Sequence, residues 1–347
     1  MITLYVDRTR WESNLQHVTA IHPGIVPVAK GNGYGFGIET LAAKANDLGV
    51  DTLAVGTYDE IAQAHAFEGS VMVLTPWRPF ETRATYDERV VHTVGRIADL
   101  RDLALKAERP RVVLELMTSM LRHGFSARGL REAGEILGGG EDSGVSVDGI
   151  ALHMPMGHGS HVAEVDRLVN DVVAAELPTR RIYVSHLPDN ELATLRASWS
   201  DFELRPRIGT ALWLGDRGAL SVKATVLDVH QVERGEVFGY RGRSAPRHGY
   251  IVVVSGGTAH GIGLEAPNAN TSLKDRAAAI ARGGMDAAGF VRSPFTIDGK
   301  QRLFAEPPHM QASMLFLPAG AHVPAVGDEI DVRVRYTATS FDRTVFV

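Results

Sequence analysis

The chain has 347 residues, 44% hydrophobic and 22% charged, a balance that excludes a disordered polymer. A net charge of −5 leaves no basic excess to track a phosphate backbone, so nucleic acid is not an expected partner. The absence of cysteine excludes disulfides, thiolate metal sites and a cysteine nucleophile, and suits a cytoplasmic protein.

In chain order, the first ten residues, MITLYVDRTR, carry no signal-peptide pattern. Short β-like runs then fall at 25–29, 52–56, 71–74, 89–93, 111–116, 149–153, 181–185 and 203–207. Amphipathic patterns lie between them: Ile38, Leu41, Ala42, Ala45 and Leu48 recur on one helical face. Eight strand–helix repeats predict an α/β fold, a parallel (β/α)8 TIM barrel over residues 8–215, with an open doubly wound sheet as the alternative. After Gly215 the pattern changes. Runs at 222–229, 236–240, 250–255, 313–317 and 329–335 predict a mostly antiparallel β-domain over 216–347, joined by residues 1–7. Residues 266–299 read as a polar, Gly-rich surface loop with a short helix at 274–282, and 137–144 as a second Gly-rich loop. No apolar run is long enough to cross a bilayer, so no membrane is expected as a partner.

A barrel enzyme carries its chemistry at the C-terminal ends of its strands. Lys30 ends the first run, inside VAKGNGYGFG. Glu115 lies in the fifth run, followed by Thr118, Met120 and Arg122. His153 ends the sixth; Ser185 and His186 end the seventh; Arg207 ends the eighth, followed by Gly209 and Thr210. Titratable side chains therefore converge on one rim. A lysine that follows an apolar strand among glycines is partly desolvated, which lowers its pKa and makes its amine a nucleophile able to form a Schiff base. The plain alternatives are a solvated turn lysine at 30 and a satisfied core histidine at 153.

The string VAKGNGYGFG resembles the lysine motif, usually written VVKANAYGHG, that opens the pyridoxal-phosphate barrel of the alanine racemase family. Further along, MTSMLRHGF (117–125) resembles the family's DTGMxRxGF, GIALH (149–153) its GxxxH strand, and RIGTALWLG (207–215) its RxGIAMYG. GTAHG (257–261) and HMQ (309–311) stand where the family has GYADG and SMD. The order holds over nearly the whole chain. The lysine motif with Arg122, His153 and Arg207 in sequence is the specific part.

The resemblance implies pyridoxal 5'-phosphate as cofactor, an amino acid as substrate and a homodimer whose active sites are shared between chains. It gives Lys30 the Schiff base and one proton transfer, Tyr34 a phosphate bond, and His153 a place beside the pyridine ring. Ser185, Gly209 and Thr210 would cradle the phosphate, in line with the barrel rule for strands 7 and 8. Arg207 would face the ring nitrogen and keep it unprotonated, since a guanidinium does not yield its proton. Arg122 and the Met310 N–H would hold the substrate carboxylate. Glu115 stands where many family members carry a carbamylated lysine, and would orient Arg122 by a charge-assisted bond.

The chain departs from the family at its second base. The family's tyrosine in GYADG is here Thr258, whose hydroxyl is too weak an acid. His260 is the candidate substitute, with Tyr240 or Tyr250 as alternatives. Phe346 stands near the family's phosphate-binding tyrosine. The leading expectation is a pyridoxal-phosphate-dependent amino-acid racemase or epimerase, on a substrate that need not be alanine. The alternatives are another reaction of the same cofactor (aldol cleavage, decarboxylation or one-base isomerisation) and a non-catalytic carrier of it. Decarboxylases of the fold use a cysteine that this chain lacks. No metal site is expected, because His309 and Asp342 have the wrong spacing for the fold's aldolases.

Overall fold

The apolar runs of the sequence become two sheets of eight strands each. The computed structural model describes residues 1–84, 87–106, 109–138, 144–157, 159–264 and 291–347. Two compact units emerge, Glu12–Gly215 and Met1–Trp11 with Asp216–Val347. After β1 (Ile2–Val6) and α1 (Arg8–Ile21) come β2 (Val26–Pro27), α2 (Ile38–Asp47), β3 (Thr52–Val55), β4 (Ser70–Val73) and β5 (Val90–Val94). Next are α3 (Ile97–Lys106), β6 (Arg111–Leu116), α4 (Ala127–Leu137), β7 (Ser146–His153), α5 (Val162–Ala174), β8 (Arg181–Ser185), α6 (Asp189–Ser198), β9 (Glu203–Ile208) and the one-turn α7 (Thr210–Trp213).

Strands β2 to β9 pair in parallel in the order β2-β9-β8-β7-β6-β5-β4-β3. A parallel bridge between Val28 and Ala54 closes the ring, so the sheet is a barrel and not the open alternative. Pro27 lacks an N–H, and β2 is correspondingly short. Its pairing continues singly, with Val28 N–H bonded to Ile208 O (2.9 Å) and Ala29 N–H to Ala54 O (2.8 Å). The interior is filled by Val26, Val28, Ala54, Met72, Val91, Val113, Ala151 and Tyr183, a packed core and not a pore. The crossovers are less regular than eight strand–helix repeats imply. Two 3₁₀ turns, Tyr58–Glu60 and Ala62–Ala64, join β3 to β4. Among the described residues no α-helix joins β4 to β5.

The other unit contains β1 with β10 (Leu220–Val232), β11 (Val237–Phe238), β12 (Arg243–Ser244), β13 (Gly249–Ser255), β14 (Arg292–Ile297), β15 (Lys300–Phe304), β16 (Ala312–Pro318), β17 (Glu329–Val332) and β18 (Arg343–Phe346). The sheet order is β13-β16-β15-β14-β17-β10-β1-β18, and pairing of β13 with β10 closes its first six strands. Only β1 with β18 is parallel among the pairings of this sheet. The predicted loop at 266–299 is corrected at its end. Ser293, Phe295 and Ile297 alternate inward in β14, and Asp298 and Gly299, both with positive φ, form the Asp-Gly turn of a hairpin into β15. The helix expected at 274–282 and most of the loop at 137–144 lie outside the described residues. Among the described residues no helix is long and apolar enough to cross a membrane.

Candidate active site

Side chains two apart on a strand face the same way. Lys30 follows Val28, Glu115 follows Val113, His153 follows Ala151 and Ser185 follows Tyr183 at that spacing, so each stands one pleat beyond the barrel's core layer. Arg207 likewise follows the buried Arg205, whose guanidinium caps Gly24 O and pairs with Asp51.

Lys30 leaves the barrel wall as an exposed residue, yet its amine is held below the usual lysine range. Partial desolvation is the largest cause, followed by the positive charges of Arg122 and Arg207, with Glu60 opposing. Glu60 was not singled out in the sequence. Its carboxylate accepts from Gly31 N–H (2.9 Å), Gly56 N–H (2.6 Å) and Thr57 N–H (3.3 Å), tying the loop that carries Lys30 to the end of β3. The readable signal was the spacing Thr57-x-x-Glu60, a capping box at the start of a helical turn.

Tyr34 is buried with φ 56°, in the left-handed region that a tyrosine seldom adopts. Desolvation, with Glu60 adding to it, pushes its phenol up to about 12, so it is a neutral donor at working pH. The phenol oxygen lies where a β-carbon on Gly209 would stand. Gly209 immediately precedes α7, and Trp213 in that turn donates from Nε1 to Val28 O (2.8 Å).

Arg207 is buried, 6% exposed, and desolvation lowers its guanidinium to about 10 against the opposing pull of Glu115. It remains charged at neutral pH. Its Nε donates to Ser185 Oγ (3.0 Å) and Nη2 to Leu152 O (3.2 Å), so Ser185 first of all braces the arginine. Burial raises the pKa of Glu115, while Arg207, Arg122 and Arg78 pull it down. The bond expected between Glu115 and Arg122 is an ion pair at 3.8 Å, longer than a hydrogen bond, because Arg122 is half-exposed while Glu115 is buried. Glu115 Oε2 is buried without a hydrogen-bond partner.

His153 is neutral, its pKa pushed down to about 3 by desolvation and then by Arg207, Arg122, His186 and Lys30. The ring of His186 meets it edge-on, with centroids 4.9 Å apart. His186 Nδ1 donates to Met154 O (2.9 Å), which fixes its tautomer and leaves Nε2 as the acceptor. The barrel thus gathers Lys30, Tyr34, Arg122, His153, Ser185, Arg207, Gly209 and Thr210 at one end of its strands, with Glu115, Glu60 and His186 as supports.

Thr258, His260 and Met310 belong to the other unit. Thr258 is exposed, and its N–H donates to His309 O (2.8 Å). Met310 is 70% exposed, and its carbonyl accepts from Ala259 N–H (3.0 Å). His260 is buried with both ring nitrogens engaged. Nδ1 accepts from Gly257 N–H (3.3 Å) and Nε2 donates to Asp342 Oδ1 (3.1 Å). Burial opposes ionisation of Asp342, but the Ile2 N–H and His260 outweigh it and hold the carboxyl low. Phe346 packs on Trp11 and under the guanidinium of Arg8.

The family model for the N-terminal domain of alanine racemase matches residues 6–213. The chain belongs to the alanine racemase family. The chain is similar to the alanine racemases of Campylobacter jejuni subsp. doylei, 24% identical over 156 residues, and of Campylobacter jejuni subsp. jejuni, 24% identical over 144 residues. These matches cover 44% and 41% of this chain and 44% and 42% of the relatives, so the aligned part spans less than half the length of either relative. Among solved structures, the alanine racemase of Bartonella henselae with covalently bound pyridoxal phosphate is similar over 100% of this chain and 99% of that one. Its TM-score is 0.72 at 15% identity. The alanine racemase of the D-cycloserine producer Streptomyces lavendulae has a TM-score of 0.71 at 19% identity, covering 100% of this chain and 97% of that one. Both likenesses bear out the predicted fold, a TIM-like barrel with a mostly antiparallel β-domain.

Proposed function

We propose that the chain is a pyridoxal-phosphate-dependent amino-acid racemase or epimerase in which Lys30 carries the cofactor. The observation that carries this reading is the depressed Lys30 amine at the strand end, beside a buried, charged Arg207 and the Tyr34–Gly209 contact. The group fits these residues. The missing β-carbon of Gly209 leaves a cradle under the Tyr34 hydroxyl, and the first N–H groups of α7 lack intrahelical acceptors, as at any helix start.

When bound, pyridoxal phosphate supplies the electron sink that makes an α-proton acidic. Lys30 would hold the cofactor and move a proton on one face of the α-carbon, with an amine already biased towards its neutral form. Tyr34 would donate to the phosphate. Arg207, braced by Ser185, would present a charged donor to the ring nitrogen, and it gives up no proton at neutral pH. His153 and His186, both lowered in pKa, add no charge beside the ring. Arg122, half-exposed and ion-paired to Glu115, would meet a substrate carboxylate. His260 is not carried forward as the second base, because burial and two hydrogen bonds commit it to its own turn. A homodimer with shared sites belongs to the same reading, and sedimentation at falling concentration tests it.

The deciding experiment has two parts. Borohydride reduction of the protein loaded with pyridoxal phosphate should attach the cofactor to the peptide bearing Lys30. Incubation with a panel of amino acids in D2O, followed by chiral chromatography, should show interconversion with α-deuterium incorporation. Label on another lysine, or a panel returned unchanged, would sink the reading.

A further inference from the structure

The β-domain holds a cavity of about 780 Å³ whose lining includes Arg292, Gln301, Arg333 and Arg335 and no acidic residue. Strand alternation sets the arginines there. In β17 Ile330 and Val332 point inward, and the exposed Arg333 and Arg335 continue its outward positions. In β14 Ser293 and Phe295 point inward, and Arg292 points out. Phe295 pairs with Val332, and Arg333 N–H bonds Pro294 O (3.0 Å), one step further along the same antiparallel register. Carried two residues on, that register sets Arg335 opposite Arg292, and both line the one cavity. Like charges so placed repel one another.

No carboxylate relieves them. Among the described residues none of the three arginines forms an ion pair, and the acids of β17 are engaged elsewhere. Asp331 pairs with Lys223 (2.8 Å); Glu329 accepts from the Tyr5 hydroxyl (2.9 Å) and faces Arg343 (3.9 Å). Residues 265–290, which follow Leu264 of this wall in sequence, carry three acids and three bases, so they bring no net charge to it. The wall itself is tightly built. Gly261, at φ 80°, stands where a β-carbon would meet Ala338 O, and Ala338 N–H bonds Arg335 O (2.8 Å). The Gln301 amide donates to Ser293 O (2.7 Å). Ile262 and Phe304, both buried, add apolar surface beside the charges.

We propose that this cavity binds a small molecule with a doubly charged anionic head, a phosphate monoester, on a short apolar body. A guanidinium presents a planar fork of N–H donors that matches phosphate oxygens, and a dianion among several of them turns their mutual repulsion into attraction. Ile262, Pro294 and Phe304 take the apolar part. The volume is that of a small-molecule site. All of its residues belong to the β-domain and none to the barrel rim, so the site does not depend on the racemase reading.

The test is isothermal titration of the full-length protein with phenyl phosphate, a probe that has both parts. Arg333→Ala/Arg335→Ala should weaken a saturable site by at least about 10-fold. Arg234→Ala/Arg247→Ala removes the same charge from exposed positions of the same domain and should bind as the wild type does. Phenyl phosphate should also shield Arg292, Arg333 and Arg335 of the wild type from phenylglyoxal, read by peptide mass mapping. Phenylacetate, with one charge, should bind about 10-fold more weakly. Affinity for phenyl phosphate should fall below about pH 6, where the head gains a proton. Equal affinity in the two double variants, no saturable binding, or phenylglyoxal labelling of the three arginines that phenyl phosphate leaves unchanged overturns the site. Phenylacetate binding as tightly as phenyl phosphate overturns the doubly charged head.

Discussion

The phenol of Tyr34 stands in the space that a β-carbon on Gly209 would occupy. The contact joins the loop after β2 to the start of α7, and both residues are needed in kind, a glycine for room and a phenol for the donor. Gly209→Ala should push Tyr34 aside and remove one hydrogen bond to the cofactor phosphate. A charge-assisted bond contributes about 1.5–3 kcal/mol, so pyridoxal-phosphate affinity should fall about 10- to 100-fold in an absorbance titration. Unchanged affinity would show that the phosphate sits elsewhere.

Glu60 ties Gly31 to Gly56 through both carboxylate oxygens. In Glu60→Gln one oxygen becomes an NH2 that faces an N–H donor, which should cost about 1–3 kcal/mol in urea unfolding. Glu60 also favours the charged form of Lys30. Its neutralisation removes that support, so the Lys30 amine should titrate at still lower pH. The pH profile of cofactor attachment should therefore move to lower pH; a profile that moves up would contradict the geometry.

His92 is 1% exposed and bonded at Nδ1 to the Tyr58 hydroxyl (2.8 Å), with its pKa pushed down to about 4 by desolvation. The ordinary value is 6.5. Between these limits the unfolded chain binds the proton and the folded chain does not, so stability is present above pH 6.5 and is lost as pH falls towards 4. The loss from this one group amounts to up to about 3 kcal/mol. Urea midpoints across that window should fall with pH, and His92→Gln should flatten the fall; equal slopes would mean that His92 is protonated without unfolding.

Glu115 is the buried counter-charge that supports Arg207 and faces Arg122. Glu115→Gln keeps the shape and removes the charge, leaving the buried guanidinium less compensated. A loss of up to about 3 kcal/mol is expected in chemical unfolding. A variant as stable as the wild type would mean that the Arg207 bonds to Ser185 and Leu152 suffice by themselves.

Much of the barrel and its rim was legible because strand periodicity is a local property. A run of apolar residues that alternates inward fixes the direction of the next side chain, so Lys30, Glu115, His153 and Ser185 follow from Val28, Val113, Ala151 and Tyr183 by counting two. The lysine motif with its glycines was legible for the same reason: left-handed backbone at Gly31, Gly33, Gly35 and Gly37 is a demand made residue by residue. The β14–β15 hairpin was also written in the chain, as Asp298-Gly299 between alternating runs, but was masked by the Gly-rich stretch before it.

Partner choice is different, because a hydrogen bond depends on which groups the fold brings within 3 Å and on how much water remains. His260 reads in the sequence as a candidate second base; only the fold engages it with Asp342, 82 residues away, and buries it. Ser185 reads as a phosphate ligand and is first a brace for Arg207. The chain by itself determined the barrel, its rim and its family; the tertiary structure decided which histidine is locked, since burial and orientation, not spacing, set what a titratable group can do.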